Sequence, residues 1–260
     1  MTGAAANHDP ADMAPIVGRL REVVLACESQ GLAPCVRTAV DPFAEAARAG
    51  LLDADRRRPE VVLSDRVAVE LGAPSVASHA AVLLTRRSDL VRCSTVSLFG
   101  PDLHRVPRGA SLPFAQVVIL SVGPQAWPDP FAVDAAQYLT HRLPGYMTRS
   151  VPGRLWVRVS LDARSRGLTF AQVGASLMAC YLQGFPEVAG VEVLFATQGE
   201  AVRALAPVCL EAEVVAGRHR KLAISDDGEL GCRELACDAC EEKPVCDELR
   251  EMLGKRRGRA

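Results

Sequence analysis

The sequence predicts an α/β fold, built as a layered mixed sheet with flanking helices and followed by a small C-terminal cysteine-rich module. Two observations support this prediction. Short apolar runs rich in Val, Ile and Leu alternate along the chain with amphipathic segments of helix length, which is typical of strands and helices that pack in layers. Four of the nine cysteines then lie close together, between positions 232 and 246.

The N-terminal part is predicted to be mostly helical. Residues 1–14 are rich in Ala, Gly, Asp and Pro, and we expect them to be disordered. In the segment 15–60, apolar residues recur at helical spacing from Ile16 to Val24 and again from Phe43 to Ala47. This spacing predicts two helices with a break at 31–34, where Gly and Pro occur.

Residues 61–217 are predicted to form the α/β domain, and the apolar run 61–63 is expected to begin a strand. Further strands are predicted at 67–71, 90–99, 115–122, 156–159 and 191–196, and helices at 75–85, 131–143, 170–183 and 200–205. Residues 218–260 are predicted to form the cysteine module. This module ends in a helix on which Leu249, Met252 and Leu253 share one face.

The composition limits the classes of function. The chain has 49% hydrophobic and 23% charged residues and a formal net charge of −1, so no global field recruits nucleic acid or an anionic membrane. The N-terminus lacks the pattern of a signal peptide, and no apolar run approaches the length of about eighteen residues that spans a bilayer. We therefore expect a cytoplasmic protein that binds neither nucleic acid nor membrane.

The four clustered cysteines predict a metal site. They are Cys232, Cys237, Cys240 and Cys246, separated by four, two and five residues. Thiolates are soft anionic ligands, and four of them complete the ligand set of an iron–sulfur cluster or of zinc. Because a structural zinc site usually pairs two Cys-x-x-Cys turns and this segment has one, the uneven spacing favours [4Fe–4S] over zinc. A segment without metal is the remaining alternative.

The other cysteines and the histidines carry a weaker signal. The remaining cysteines lie in apolar stretches and are predicted to be buried structural thiols: they are Cys27, Cys35, Cys93, Cys180 and Cys209. The histidines are dispersed and lack the spacing of a zinc-protease helix, so we predict no catalytic residue among them.

Several segments of the middle region occur in a recognisable order. They are Val69-Glu70-Leu71-Gly72, Gly100-Pro101-Asp102, Pro107-Arg108-Gly109, Leu112-Pro113, the run Arg154 to Ser160 (RLWVRVS), and Phe185-Pro186 before a final strand. Together this set resembles the middle domain of the β subunit of acetyl-CoA synthase, from the carbon monoxide dehydrogenase/acetyl-CoA synthase complex. The resemblance covers roughly residues 64–215.

The resemblance implies an α/β domain on which basic and tryptophan residues contact coenzyme A. On this basis Arg154, Trp156 and Arg158 are candidate contacts for coenzyme A, although alternating strand residues of this kind are also common as exposed structural positions. The family's nickel site requires a Cys-Gly-Cys that this sequence lacks, so we expect no catalytic nickel beside the predicted cluster.

Three functions remain open at this point. The first is an iron–sulfur protein that serves as an electron-transfer or accessory subunit of a larger redox or one-carbon enzyme complex, with ferredoxin as a candidate electron partner. The second is an enzyme that binds coenzyme A or a thioester on the α/β domain beside the cluster. The third is a structural zinc module for protein–protein contact. Whether the chain is itself an enzyme stays open.

Overall fold

The computed structural model describes most of the central part of the chain. The described residues are 12–29, 31, 35–50, 61–124, 127–128, 132–133, 136, 143–151, 154–218, 222–224, 230–232, 243, 247–248, 250–252 and 254. At 150–151, 217–218, 222–224 and 230–232 only the backbone is described. The chain divides into two compact units, residues 1–214 and 215–260.

The first unit alternates between strands and helices. Its N-terminal elements are α1 (Ala14–Ser29), β1 (Cys35–Ala39) and α2 (Pro42–Arg48). They are followed by the strands β2 (Val67–Leu71), β3 (Ser78–Thr85), β4 (Thr95–Phe99), β5 (Ala110–Leu112) and β6 (Phe114–Val122). The later elements are β7 (Tyr146–Val151), β8 (Arg154–Ser160), α3 (Leu161–Ser165), α4 (Phe170–Gly184), β9 (Val188–Ala196) and α5 (Gly199–Arg218), the last of which runs past the boundary of the unit.

The larger sheet has five strands in the order β1-β4-β9-β6-β3. It is mixed, because β4 runs parallel to β9 and β3 parallel to β6, whereas β9 and β6 are antiparallel. Every residue of β6 is buried, as expected for an apolar strand that is covered on both faces. The core between this sheet and α4 contains the rings of Phe114, Phe170 and Phe195, whose centroids lie 4.8 to 6.1 Å apart.

The smaller sheet has four strands in the order β5-β2-β8-β7. Strand β8 is antiparallel to both of its neighbours, β2 and β7, and β5 runs parallel to β2. The Ser78 hydroxyl at the start of β3 joins the two sheets, because it donates a hydrogen bond to the carbonyl of Leu155 on β8 and accepts one from the Leu155 amide at 3.0 Å. These two hydrogen bonds fix the start of strand β8 against β3.

A buried ion pair fastens α1 to the larger sheet. The Arg21 guanidinium on α1 donates to both carboxylate oxygens of Glu192 on β9, with one of these bonds at 2.7 Å, and also to the carbonyl of Leu90 at 2.6 Å. The backbone amide of Arg92 donates to the same carboxylate at 2.7 Å. Because the Glu192 side chain is fully buried, these donors satisfy a charge that would otherwise be costly inside the fold.

The structure confirms most of the predicted strands and corrects several segments. The predicted helix at 75–85 is wrong, because this segment is β3: its residues are buried on both faces, so it lacks the alternation of a half-buried strand. The run 61–63 forms no strand and leads into a 3₁₀ turn at Ser64–Arg66. Strand β1 lies unpredicted between the two predicted helices, and the helix predicted at 200–205 continues through Pro207 to Arg218.

The second unit contains an antiparallel hairpin, β10 (Leu222–Ile224) with β11 (Leu230–Cys232). Helical positions recur at its C-terminal end, at 247–248 and 250–252, in the region where the sequence predicts a helix. The helix predicted at 131–143 lies largely outside the described residues. In the part of the chain that the structure covers, no helix is both long and apolar enough to cross a membrane.

Candidate functional site: the outer face of strand β8

Strand β8 separates its side chains into two faces. Leu155, Val157 and Val159 are buried in the core, each with no more than 1% of its surface exposed. Arg154, Trp156 and Arg158 alternate with them and therefore lie on the opposite face of the sheet. Arg154 is exposed and the other two are partly buried. The three residues that the sequence named as candidates thus share one surface, which we call the outer face.

The register of the neighbouring strands adds two charged residues to the outer face. Glu70 on β2 lies opposite Arg158, and Arg149 on β7 lies opposite Trp156. The Arg158 Nε donates to the Glu70 Oε1 at 2.7 Å, and its Nη1 lies 3.4 Å from the carbonyl of Val62. Glu70 and Arg149 were not among the predicted site residues, although Glu70 belongs to the Val69–Gly72 segment.

The indole of Trp156 lies close to two guanidinium groups. The Cζ of Arg158 is 4.7 Å from the centre of the ring, and that of Arg149 is 5.3 Å from it. A guanidinium at this distance from an indole is attracted by the negative charge of the ring face. The outer face therefore combines an aromatic ring with two cations, an arrangement suited to an anionic ligand.

The indole nitrogen of Trp156 has no acceptor in the part of the chain that the structure describes. Its Nε1 is inaccessible to solvent and has no hydrogen-bond partner among the described residues. A buried donor left without an acceptor costs roughly 1–3 kcal/mol. Trp156 thus combines a ring that lies near two cations with a buried N–H that has no acceptor among the described residues.

Arg154 lies at the end of the outer face nearest the larger sheet. Its Nη2 donates to the carbonyl of Val76 at 3.3 Å. Its charge also acts on His79 of β3, because burial first and the neighbouring Arg154 second lower the pKa of that imidazole below its usual value. The imidazole of His79 therefore takes up a proton less readily than a free histidine does.

Other residues of the recognised segments have structural roles. Gly72 has φ +63°, and a Cβ there would lie 2.2 Å from the carbonyl oxygen of Leu155, so only glycine allows the chain to leave β2 so close to β8. The Asp102 carboxylate accepts from the amides of Leu103 and Phe170 at 2.7 and 2.9 Å, which caps a 3₁₀ turn and the start of α4. These positions stabilise the fold, whereas the side chains of the outer face can contact a ligand.

The predicted metal ligands lie almost wholly outside the described residues. The backbone of Cys232 ends β11, whereas Cys237, Cys240 and Cys246 are not described. Within the ranges that the structure covers, no group of three or more His, Cys, Asp or Glu side chains could hold a metal ion. The four-cysteine site therefore stays a prediction.

The remaining cysteines do not all follow the expected burial. Cys27 and Cys209 are buried, and burial raises the pKa of the Cys209 thiol to about 12. Cys35 and Cys180 are only partly buried, and Cys93 is exposed, so the prediction of a buried thiol is wrong for Cys93. Cys93 lies in the loop before β4, and its thiol lies against the backbone of Gly190, where an added Cβ would be 2.2 Å from the Cys93 Sγ.

Comparisons with known proteins show the family of this chain. Residues 58–202 match the family described as CO dehydrogenase/acetyl-CoA synthase complex beta subunit, which is more than half of the chain. Subunit beta of an acetyl-CoA decarbonylase/synthase complex from Methanothermobacter thermautotrophicus is 26% identical over 192 residues, which cover 72% of this chain and 40% of that protein.

The corresponding subunit from Archaeoglobus fulgidus is 26% identical over 140 residues, which cover 53% of this chain and 26% of that protein. The chain therefore aligns with less than half the length of either relative. The matched segment contains both sheets except β1, and it includes Glu70, Arg149 and Trp156 of the outer face. The chain belongs to the CO dehydrogenase/acetyl-CoA synthase complex beta subunit family.

Proposed function

We propose that this chain is an accessory subunit of a carbon monoxide dehydrogenase/acetyl-CoA synthase-type complex and that it binds coenzyme A on the outer face. The observation that carries the proposal is the indole of Trp156, whose ring centre lies within 5.3 Å of two guanidinium groups on the same face of the sheet. Membership of the family supports a role in a larger complex, since the relatives are beta subunits of acetyl-CoA decarbonylase/synthase complexes.

The chemistry of coenzyme A suits this surface. Its diphosphate and 3′-phosphate are anionic groups rich in acceptor oxygens, and its pantetheine arm carries amide carbonyls. Arginine presents its N–H groups in a planar fork that matches phosphate oxygens, and Arg149, Arg154 and Arg158 lie on or beside the same face.

Calorimetric titration with coenzyme A tests the proposal. We expect the wild type to bind and Arg158→Ala to weaken binding by roughly tenfold, because the variant removes the guanidinium that lies 4.7 Å from the Trp156 ring and holds it in place. Trp156→Phe replaces the indole with a smaller ring that holds the neighbouring guanidinium groups less strongly, and it is expected to weaken binding as well.

Trp127→Phe is the matched control, because Trp127 has its own arginine, Arg86, at 5.3 Å from the ring. This variant should bind as the wild type does. If neither the wild type nor Arg158→Ala binds coenzyme A, the outer face is not a coenzyme A site.

We also propose that Cys232, Cys237, Cys240 and Cys246 hold a [4Fe–4S] cluster, which would give the subunit an electron-transfer role with a ferredoxin-like partner. Four thiolates in one short segment fit such a cluster, and zinc is the alternative occupant. The cluster would supply one-electron chemistry, and the all-cysteine ligand set leaves no open position for a substrate.

Anaerobic isolation tests this second part. The cluster predicts a brown protein with about four irons per chain and an EPR signal on reduction. Cys240→Ser should lose the iron, whereas Cys93→Ser, a matched change at an exposed thiol of the other unit, should keep it. A colourless protein with one zinc per chain would contradict the cluster and favour a structural zinc module whose C-terminal segment unfolds with chelators.

A further inference from the structure

The cations of the outer face are not equivalent. Arg158 has a carboxylate partner, because its Nε donates to Glu70 at 2.7 Å, and both side chains are partly buried, at 20% and 27% exposure. Arg149 is exposed and has no carboxylate partner among the residues that the structure describes. The positive charge of Arg158 is thus largely offset within the fold, and that of Arg149 is not.

We infer that Arg149 is the principal anion-binding residue of the outer face and that Glu70 is an internal counter-ion that holds Arg158 against Trp156. This inference rests on the proposed binding of coenzyme A and names the residues that set its strength. Arg149 supplies the uncompensated charge on β7, directly across from Trp156. Arg158 is a positioning residue that fixes the indole, and Glu70 limits the affinity for anions.

The geometry supports this division of roles. Glu70 and Arg158 are directly opposed on adjacent antiparallel strands, a pairing in which opposite charges stabilise the sheet. The same Arg158 guanidinium lies 4.7 Å from the Trp156 ring, so the ion pair restricts both side chains. An anion that approaches Arg158 must compete with the Glu70 carboxylate, whereas no carboxylate of the described residues pairs with Arg149.

The two residues should therefore affect binding in opposite directions. Arg149→Ala removes an uncompensated charge, so we expect coenzyme A to bind at least tenfold more weakly, the effect of losing one charge-assisted contact. Arg149→Lys keeps the charge and should retain most of the affinity. Glu70→Gln keeps the shape of the side chain but removes its charge, so binding should become a few-fold tighter and more dependent on salt.

Calorimetric titration of coenzyme A into the wild type and these variants, at two salt concentrations, decides the matter. Arg203→Ala is the matched control, because Arg203 is an exposed arginine on helix α5; it should bind like the wild type. A wild-type affinity in Arg149→Ala, or weaker binding in Glu70→Gln, would overturn the inference while leaving the proposed function intact. Failure of the wild type itself to bind would remove both.

Discussion

Two arginine–glutamate pairs in the first unit have the same chemistry and different surroundings. In the pair Arg21–Glu192 the carboxylate is fully buried, and both of its oxygens accept hydrogen bonds, including one from the amide of Arg92. In the pair Arg158–Glu70 both side chains are partly exposed and lie beside an indole whose N–H has no described partner. The first pair stabilises the fold and is closed to a ligand, whereas the second pair is partly exposed and can contact one.

This difference shows how a scaffold residue can be distinguished from a candidate ligand contact. A buried charge whose hydrogen bonds are all satisfied contributes to one arrangement of the chain and has nothing to offer a ligand. A partly exposed cation such as Arg158 can release its carboxylate and bind a ligand anion instead. The distinction makes separate predictions for stability and for binding at each pair.

The largest effect is expected at the buried pair. Glu192→Ala leaves the Arg21 guanidinium without its counter-ion and the Arg92 amide without its acceptor, so the free energy of unfolding should fall by about 3–5 kcal/mol. Urea denaturation followed by circular dichroism measures this loss. Glu211→Ala, which breaks the more exposed pair with Arg19, is the control and should leave stability near that of the wild type.

The two faces of β8 should respond differently to substitution. Leu155→Ala removes a core side chain that is 1% exposed and should cost about 2–5 kcal/mol of unfolding free energy. Trp156→Phe, one position along the strand, keeps an aromatic ring on the outer face and should change stability by much less, while it weakens coenzyme A binding. Equal losses of stability in the two variants would contradict the assignment of inner and outer faces.

A smaller change in stability is expected at the outer pair. Glu70→Gln should lower the unfolding free energy by about 1 kcal/mol or less, because partly exposed ion pairs contribute little. Urea denaturation of this variant beside Glu192→Ala compares the two pairs directly. A loss as large as that of the buried pair would mean that Glu70 is a scaffold residue and that the outer face is not free to exchange partners.

The smallest expected effect concerns His79 at the edge of the outer face. Burial and the charge of Arg154 lower the pKa of His79 in the folded protein, so the unfolded chain binds this proton more readily. The stability linked to His79 is therefore present above its ordinary pKa and is lost as pH falls from there through the lowered folded value. Arg154→Ala should raise the pKa of His79 in an NMR titration. An unchanged pKa would show that the charge of Arg154 does not act on His79.

The sequence predicted the parts of the fold that have a clear hydrophobic period. The alternation of Arg154, Trp156 and Arg158 with apolar residues correctly indicated a strand with an outer face, and the apolar run at 170–183 indicated α4. Segment 75–85 was mispredicted because Ala80, Ala81 and Leu83 favour helices, and the two-sided burial of β3 overrides that propensity.

The candidate site could be predicted only in part, because local sequence does not determine which residues of neighbouring strands lie opposite each other. Arg149 lies in β7, whose mixture of polar and apolar residues gave no strand signal, and only its pairing with β8 brings it opposite Trp156. Glu70 was visible as one residue of a family segment, but its partnership with Arg158 depends on the β2–β8 register. Only the structure therefore shows that Glu70 offsets the charge of Arg158 and not that of Arg149.

The indole N–H resonances of the protein test the central claim most directly. The chain has two tryptophans, so a nitrogen–proton correlation spectrum should contain two indole signals, and Trp156→Phe assigns them. On addition of coenzyme A, the signal of Trp156 should shift, because anionic groups bind the guanidinium groups that lie beside its ring, while that of Trp127 stays in place. A Trp156 signal that does not move at saturating coenzyme A would contradict the claim that the outer face is the binding site.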